Sequence, residues 1–295
     1  MKKISVLMPV FNEEKFILEA VNSVIKQTHK NFELIIIDDQ STDSTLSILK
    51  KINDDRVKVL ENKNKGKNEA FNLGYSVSSG DWIVFFAGDD IMPQNSLELR
   101  LEKVADNDPH KLKIGAYGKL KMISNNKKFD GVIIPKNEDK GTESGGTLIL
   151  SRKMADTIFP IPTELGNEDQ WSVLTINHFA DKIIDIPSIV LEYRIHEENS
   201  NSQTSTFEKK NAIMHKRNIV YKKFAEYYKN ELDYKELEIL NAIAKAEYLR
   251  YQGKSIMILV EPKLSINNRM RFFMYSNKFL YNIRKIFFNL FSGWG

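Results

Sequence analysis

Residues 4–13, Ile4-Ser5-Val6-Leu7-Met8-Pro9-Val10-Phe11-Asn12-Glu13, run from a nearly continuous apolar stretch straight into polar and acidic residues. A strand without polar alternation is buried on both faces, which is how the strands of a parallel sheet read. The pattern returns at 32–38, 57–61 and 82–87, with Ile35-Ile36-Ile37 and Ile83-Val84-Phe85-Phe86 as the most continuous runs. Between these strands lie helical signals. Ile17, Ala20, Val21, Val24 and Ile25 recur at helical spacing, 42–52 opens on a Thr/Asp/Ser cluster suited to capping, and 67–79 and 93–104 predict two more helices. Strand and helix alternating in this way predict an α/β fold, a Rossmann-like, mostly parallel sheet with crossover helices.

Working outward, 113–123, 129–134 and 147–151 predict a mixed or antiparallel extension of that sheet, followed by a helix over 168–179 and a strand over 183–193. Past the polar run 197–206 the pattern is helical, with 207–228 and 234–252 separated by Pro262 from a last segment starting near Leu264. The expected organisation is 1–110 and 111–204 as two halves of one domain, and 205–295 as a C-terminal helical region.

The charge follows the same division. Of 43 Lys+Arg and 39 Asp+Glu, residues 201–295 hold 17 basic against 8 acidic, a net of +9, and residues 1–200 hold 26 against 31, a net of −5. A basic tail on an acidic body points to an anionic partner. The absence of cysteine rules out disulfides, Cys-ligated zinc, iron–sulfur clusters and thiol catalysis. The apolar start is cut short by Pro9, Asn12, Glu13 and Glu14, and no run reaches the ~18 apolar residues of a spanning helix. A cytoplasmic location is expected.

Ligands of open α/β sheets sit at the carboxyl ends of the strands. There the chain places Asn12-Glu13, then Asp38-Asp39-Gln40-Ser41-Thr42-Asp43, then Gly88-Asp89-Asp90. Acidic strand ends converging on one crevice repel one another unless a cation or hydrogen-bonding ligand joins them, and a divalent cation with a sugar nucleotide meets that need. Strand-end Asp is also ordinary turn and helix-cap chemistry, so the signal lies in the three ends taken together.

Together these segments resemble the family 2 glycosyltransferases of the GT-A fold, the inverting, bacterial surface-polysaccharide type. The resemblance rests on residues 4–13 and on Glu33-Leu34-Ile35-Ile36-Ile37-Asp38-Asp39-Gln40-Ser41-Thr42-Asp43-Ser44-Thr45. It continues through Asn64, Gly66, Ala70, Asn72, Gly74, Gly80-Asp81-Trp82-Ile83 and Asp89-Asp90, covering about residues 1–200 in order. Many members carry a third Asp where this chain has Ala87. The resemblance implies that Asp39 recognises the nucleotide base, uracil being expected, with Pro9, Val10 and Glu13 lining the same pocket. It further implies that Lys67 reaches the diphosphate, that Asp89 takes ribose hydroxyls, and that Asp90 holds Mn²⁺ or Mg²⁺, with His196 a further candidate ligand.

In the same family an Asp opening a helix takes the proton from the acceptor hydroxyl, which places that role on Asp169, with Glu168 beside it. A plain helix N-terminus also favours acidic residues, so the assignment draws on the upstream motifs. Ser144-Gly145-Gly146-Thr147 allows close backbone approach, and the resemblance sets Gly146 beside donor sugar and acceptor. Tyr193-Arg194-Ile195-His196, with Ser200 and Ser202 after it, resembles the loop that closes over the diphosphate, with Arg194 as phosphate clamp. Trp171 directly follows Asp169-Gln170, so the Gln-x-x-Arg-Trp signature of processive members is absent and single-sugar transfer is expected.

From Phe272 on, a helical projection sets Phe272, Phe273, Phe279, Leu280, Ile283, Ile286, Phe287, Leu290, Phe291 and Trp294 on one side and mostly basic and amide residues on the other. This predicts an amphipathic helix on the inner leaflet of a membrane, where a lipid-linked saccharide acceptor would lie; packing on the chain's own helices, or homo-oligomerisation through them, is the competing expectation. Nucleic acid is not expected, since no recognition motif is present. Two other readings of the whole chain are a non-catalytic sugar-nucleotide-binding or scaffold protein of a polysaccharide assembly, and a nucleotidyltransferase. The second calls for a Gly-rich phosphate loop where this chain has Asn12-Glu13-Glu14.

Overall fold

The computed structural model describes residues 2–166, 168–196 and 206–291, with side chains as far as residue 285. The chain divides into two compact units, Met1–Ser200 and Asn201–Gly295.

The first unit opens with β1 (Ile4–Val10), α1 (Ile17–Ile25), β2 (Phe32–Asp38), α2 (Thr45–Leu49), β3 (Val57–Glu61), α3 (Lys67–Ser76), β4 (Trp82–Phe85) and α4 (Ser96–Val104). It continues with β5 (Ile114–Ser124), β6 (Ile133–Ile134), β7 (Leu148–Ser151), α5 (Arg152–Ile158), α6 (Glu168–Phe179) and β8 (Lys182–Ile195). One eight-stranded sheet runs β3-β2-β1-β4-β7-β5-β6, with β8 paired to β5. β1 to β4 are parallel, β7 is antiparallel to both β4 and β5, and β8 lies parallel to β5.

Every residue of β1 is buried. Ile4, Val6, Met8 and Val10 join Ile17, Ala20, Val21 and Val24 of α1 and Leu97 and Val104 of α4 in the main core. The opposite face takes α3, where Gly74 is close enough to Ile37 and Leu7 that a side chain would clash. Two covered faces explain why these strands lack polar alternation.

The structure departs from the sequence reading in several places. The strand expected over 129–134 shrinks to β6, because Gly131 turns the chain at φ 75° and its N–H donates to the Met122 carbonyl. Helix α5 was not foreseen; the Ser151 side chain caps it by accepting from the Met154 N–H at 3.1 Å.

In the second unit, the helix expected over 207–228 is two, α7 (Phe207–Asn218) and α8 (Val220–Tyr227), followed by α9 (Tyr234–Tyr251) with an Asp233/Glu236 capping box. After it come α10 (Ser255–Leu259), α11 (Ile266–Met274) and α12 (Lys278–Phe291). The tail therefore breaks near Ser276-Asn277, where Asn277 accepts from the Leu280 N–H at 3.0 Å. Phe272 does not face outward: it packs with Ala242, Ile243, Ala246, Leu249, Ile258 and Leu264 as the core of this unit. Tyr281 is buried too. The side chains of Ile286, Phe287, Leu290 and Phe291, and all of Trp294, Ser200 and Ser202, lie outside the described residues. Among those described, no helix is long and apolar enough to cross a membrane.

Candidate active site at the strand ends

The carboxyl ends of β1 and β2 are joined by a short polar lattice. Asn12 and Gln40 both adopt positive φ, 55° and 64°, which turns the chain sharply as each strand ends; for Gln40 this is a strained conformation. Asn12 Oδ1 accepts from the Thr42 N–H at 2.8 Å, and the Asn12 N–H donates to Ser41 Oγ at 3.0 Å. Pro9 and Val10 are the buried end of β1, and the Asp39 N–H donates to the Val10 carbonyl. Glu13 packs against Gly88, where an added side chain would press on both Glu13 and Val10. The Asp39 carboxylate accepts from the Gly66 N–H at 2.8 Å and from Asn62 Nδ2 at 2.7 Å, so it fixes the loop that opens α3.

Lys67 begins α3, and its Nζ lies 2.8 Å from Glu168 Oε1. Although its side chain is half exposed, desolvation of the Nζ beside α6 works against its charge, and Glu168, Asp169 and Asp89 outweigh it and raise Lys67 above the ordinary lysine value. Glu168 is buried, and that burial pushes its carboxyl up; Lys67 counters and Asp169 adds to the rise. Glu168 Oε2 meets no protein partner among the described residues, nor does the buried Tyr117 hydroxyl. Burial also raises Tyr117, and the Glu143 and Asp169 charges add to it. Buried polar atoms left over in this way mark a place suited to a polar ligand.

Asp89, Asp90, Arg194 and His196 form a second linked group at the end of β4 and of β8. Asp90 is 3% exposed and accepts from the Arg194 N–H at 2.9 Å. Its carboxyl stands well above the usual range, first through burial and then through the Asp89 charge, with Arg194 and Lys67 opposing. His196 Nε2 lies 3.1 Å from Asp89 Oδ2. The Arg194 guanidinium donates to the Asp89 carbonyl at 2.8 Å and to Glu19 at 2.6 Å, and it rests over the Phe16 ring. In this arrangement Arg194 is held against α1 by Glu19 and by the Phe16 ring before it.

Oxygen donors from two carboxylates with one imidazole suit a hard or borderline divalent cation. A cation would favour the ionised form that burial and Asp89 disfavour in Asp90. Among the described residues no three His, Asp or Glu side chains are drawn together closely enough to hold a metal ion by themselves.

Asp169 sits at the first turn of α6. Its Oδ1 accepts from the Gly145 N–H at 2.9 Å, and any side chain at Gly145 would run into that oxygen. Gly146 is equally tight against Leu191. The glycine turn is braced by Arg100, a fully buried residue of α4 that donates to the Gly146 carbonyl at 2.7 Å and the Leu148 carbonyl at 2.6 Å. It also reaches the Val190 carbonyl at 3.2 Å. Burial lowers the Arg100 pKa. The segment before α6 is held from α3: Asn68 donates to the Pro162 and Leu165 carbonyls at 3.0 and 3.1 Å. Asn72 exchanges two 2.8 Å bonds with the Ile161 backbone. Asn167 lies outside the described residues.

Sequence reasoning missed Arg100, Asn68, Tyr117 and Glu19. Arg100 alone left a signal, an arginine among Leu97, Leu101 and Val104 on the apolar face of α4.

Residues 5–157 match the family model described as "Glycosyl transferase family 2", which is more than half of the chain. The chain belongs to glycosyl transferase family 2.

Among curated relatives of this family 2 chain is the Escherichia coli protein named UDP-Glc:alpha-D-GlcNAc-diphosphoundecaprenol beta-1,3-glucosyltransferase WfgD. It is 34% identical over 210 residues, covering 68% of this chain and 79% of that protein. An uncharacterized glycosyltransferase of Rickettsia bellii is 36% identical over 140 residues, 45% of this chain, and the match spans only 20% of that longer protein. The crystal structure of S. aureus TarS 1–349 in complex with UDP-GlcNAc superposes with a TM-score of 0.61 at 22% identity, covering 95% of this chain and 83% of that one. The family 2 chain thus has the expected GT-A fold.

Proposed function

We propose that this family 2 chain moves one sugar from a nucleoside-diphosphate sugar, a UDP-sugar first of all, to a hydroxyl of a saccharide or lipid-linked saccharide in cell-surface polysaccharide synthesis. The acceptor oxygen attacks the anomeric carbon, the bond from that carbon to the diphosphate oxygen breaks with its electron pair leaving on the nucleoside diphosphate, and Asp169 takes the acceptor proton. Configuration at the anomeric carbon inverts. One base on the acceptor side suffices for such a displacement. Asp39, Pro9, Val10 and Glu13 line the base pocket, Asp89 takes the ribose, and Gly146 and Glu168 border the donor sugar. Lys67 and Arg194 face the diphosphate. A bound Mn²⁺ or Mg²⁺, held by Asp90 with His196 nearby, would supply charge neutralisation for the leaving diphosphate.

The observation that carries this reading is Asp169 itself. A carboxylate set by the Gly145 N–H beside the Lys67–Glu168 pair, at the start of α6, supports a proton-accepting role. The activity for which WfgD is named, a transfer to a diphosphoundecaprenol-linked sugar, and the UDP-GlcNAc bound in the TarS crystal support the donor and acceptor classes.

The test is Asp169→Asn. Transfer from a panel of UDP-sugars should fall by about 10²–10⁴-fold, while thermal stabilisation by the same donor with Mn²⁺ survives. An Asn variant that retains full transfer would remove the base from Asp169.

A further inference from the structure

The second unit presents an apolar surface that its own core leaves outside. Ile256 on α10 is 77% exposed, Val260 at the C-cap of that helix 71%, and Ile266 on α11 76%. Met257, Met270 and Phe279 are also exposed. Ile266 and Met270 are four residues apart within α11 and share a helix face, and Val260 follows Ile256 by about one turn as the C-cap of α10. The two helices are joined from behind through Ile258, Leu264 and Phe272, so these outward side chains belong to one packed hairpin. Single exposed apolar residues are unremarkable in a folded protein; seven within 24 consecutive residues, Leu259 included, are not.

Charge decides what covers them. Residues 253–295 contain seven basic side chains, Lys254, Lys263, Arg269, Arg271, Lys278, Arg284 and Lys285, against one acidic residue, Glu261. Glu261 is buried and paired with Lys245 at 2.7 Å, so this segment offers solvent positive charge alone. Lys263 pairs with Glu238 of α9 at 2.9 Å. A second copy of the chain would bring like charges together at the patch. Nucleic acid would satisfy the charge and leave the aliphatic side chains without a partner. An anionic bilayer meets both needs, since aliphatic side chains enter the acyl boundary while Lys and Arg meet lipid phosphate.

We infer that the α10–α11 hairpin, with Phe279 at the start of α12, is a membrane-contact surface that lies in the interface of an anionic bilayer. The contact differs from the stripe expected from sequence, because Phe272 is interior and the outward residues begin 16 positions earlier, at Ile256. The inference does not depend on the chemistry proposed for the first unit.

The experiment is co-flotation of the full chain with vesicles of phosphatidylcholine alone or phosphatidylcholine with one quarter phosphatidylglycerol. The chain should float with the anionic vesicles, and less so as salt is raised. The triple variant Ile256→Ser, Val260→Ser, Ile266→Ser should lose about tenfold in vesicle affinity with an unchanged melting temperature, since all three side chains point outward. Lys254→Gln with Lys278→Gln and Lys285→Gln should remove most of the preference for anionic lipid. Should the triple variant fail to fold, Ile266→Asp alone gives the same comparison. Transfer to a water-soluble acceptor should be unaffected in these variants, which separates failure here from failure of the proposed activity. The inference is overturned if wild type does not float with anionic vesicles or if the apolar variants float equally well. It is also overturned if light scattering shows the variants dissolving a dimer.

Discussion

The Gly145 backbone N–H donates to Asp169 Oδ1 at 2.9 Å, and the space beyond the Gly145 Cα is filled by that same oxygen. One residue therefore supplies the hydrogen bond that orients the carboxylate and the missing side chain that lets it sit there. Gly145→Ala forces the carboxylate aside. Since a displacement of about 1 Å costs up to ~10²-fold in rate, kcat should fall by roughly that factor while donor KM changes little. Steady-state kinetics with one donor and saturating acceptor checks this, and an unaltered kcat would detach Gly145 from the base.

Asp90 predicts a pH dependence. Its folded pKa is raised by burial and by Asp89, so folding favours its protonated form. The stability it contributes is fully present below the unfolded carboxylate value and is lost as pH rises through the folded one. Asp90→Asn, which keeps an oxygen to accept from the Arg194 N–H, should raise the melting temperature at pH 7.5 by roughly 2–4 °C, the shift that ~1 kcal/mol produces in a domain of this size. The gain should vanish toward pH 4. Mn²⁺ should stabilise wild type and leave the variant unmoved, as differential scanning fluorimetry across pH will show.

Arg100 makes the opposite case, a buried cation whose partners are carbonyls from Gly146, Leu148 and Val190. Arg100→Met removes all of these donors at once. Unsatisfied buried acceptors cost ~1–3 kcal/mol each when no rearrangement helps, so unfolding should come on the order of 10 °C earlier. Thermal melts give the answer; a melting point within 2 °C of wild type would mean that the glycine turn is held by other contacts.

If Arg194 clamps phosphate as proposed, Glu19 competes for the same guanidinium. Glu19→Gln weakens a 2.6 Å charged contact without touching the strand ends, and should tighten UDP binding by a factor of about three to ten, the effect of ~1 kcal/mol. Isothermal titration with UDP and Mn²⁺ measures it, and weaker binding would show that Glu19 instead steadies the arginine for its ligand.

The sheet was legible because burial on both faces leaves a continuous apolar run, as in Ile35-Ile36-Ile37, and the strand-end acids were legible because they interrupt such runs abruptly. The α5 helix and the break at Ser276-Asn277 were not, since each is set by one capping side chain rather than by periodicity. Asn68 was hidden for a different reason, and Asn72 was visible only as part of the family pattern and not for what it holds: an amide that bonds backbone some 90 residues away carries no local pattern. The tail shows the limit of helical projection, which puts Phe272 and Phe279 on one stripe. The chain turns between them, and packing on Ala246 and Leu249 buries the first while the second stays in water.

The amides of Asn68 and Asn72 bear on protein engineering. Because they fasten 161–165 to α3, the approach to α6 takes its shape from a helix that belongs, by sequence, to the other half of the domain. Chimeras that swap 160–180 between relatives to change the acceptor should work when Asn68 and Asn72 travel with the graft, and misassemble when they are left behind.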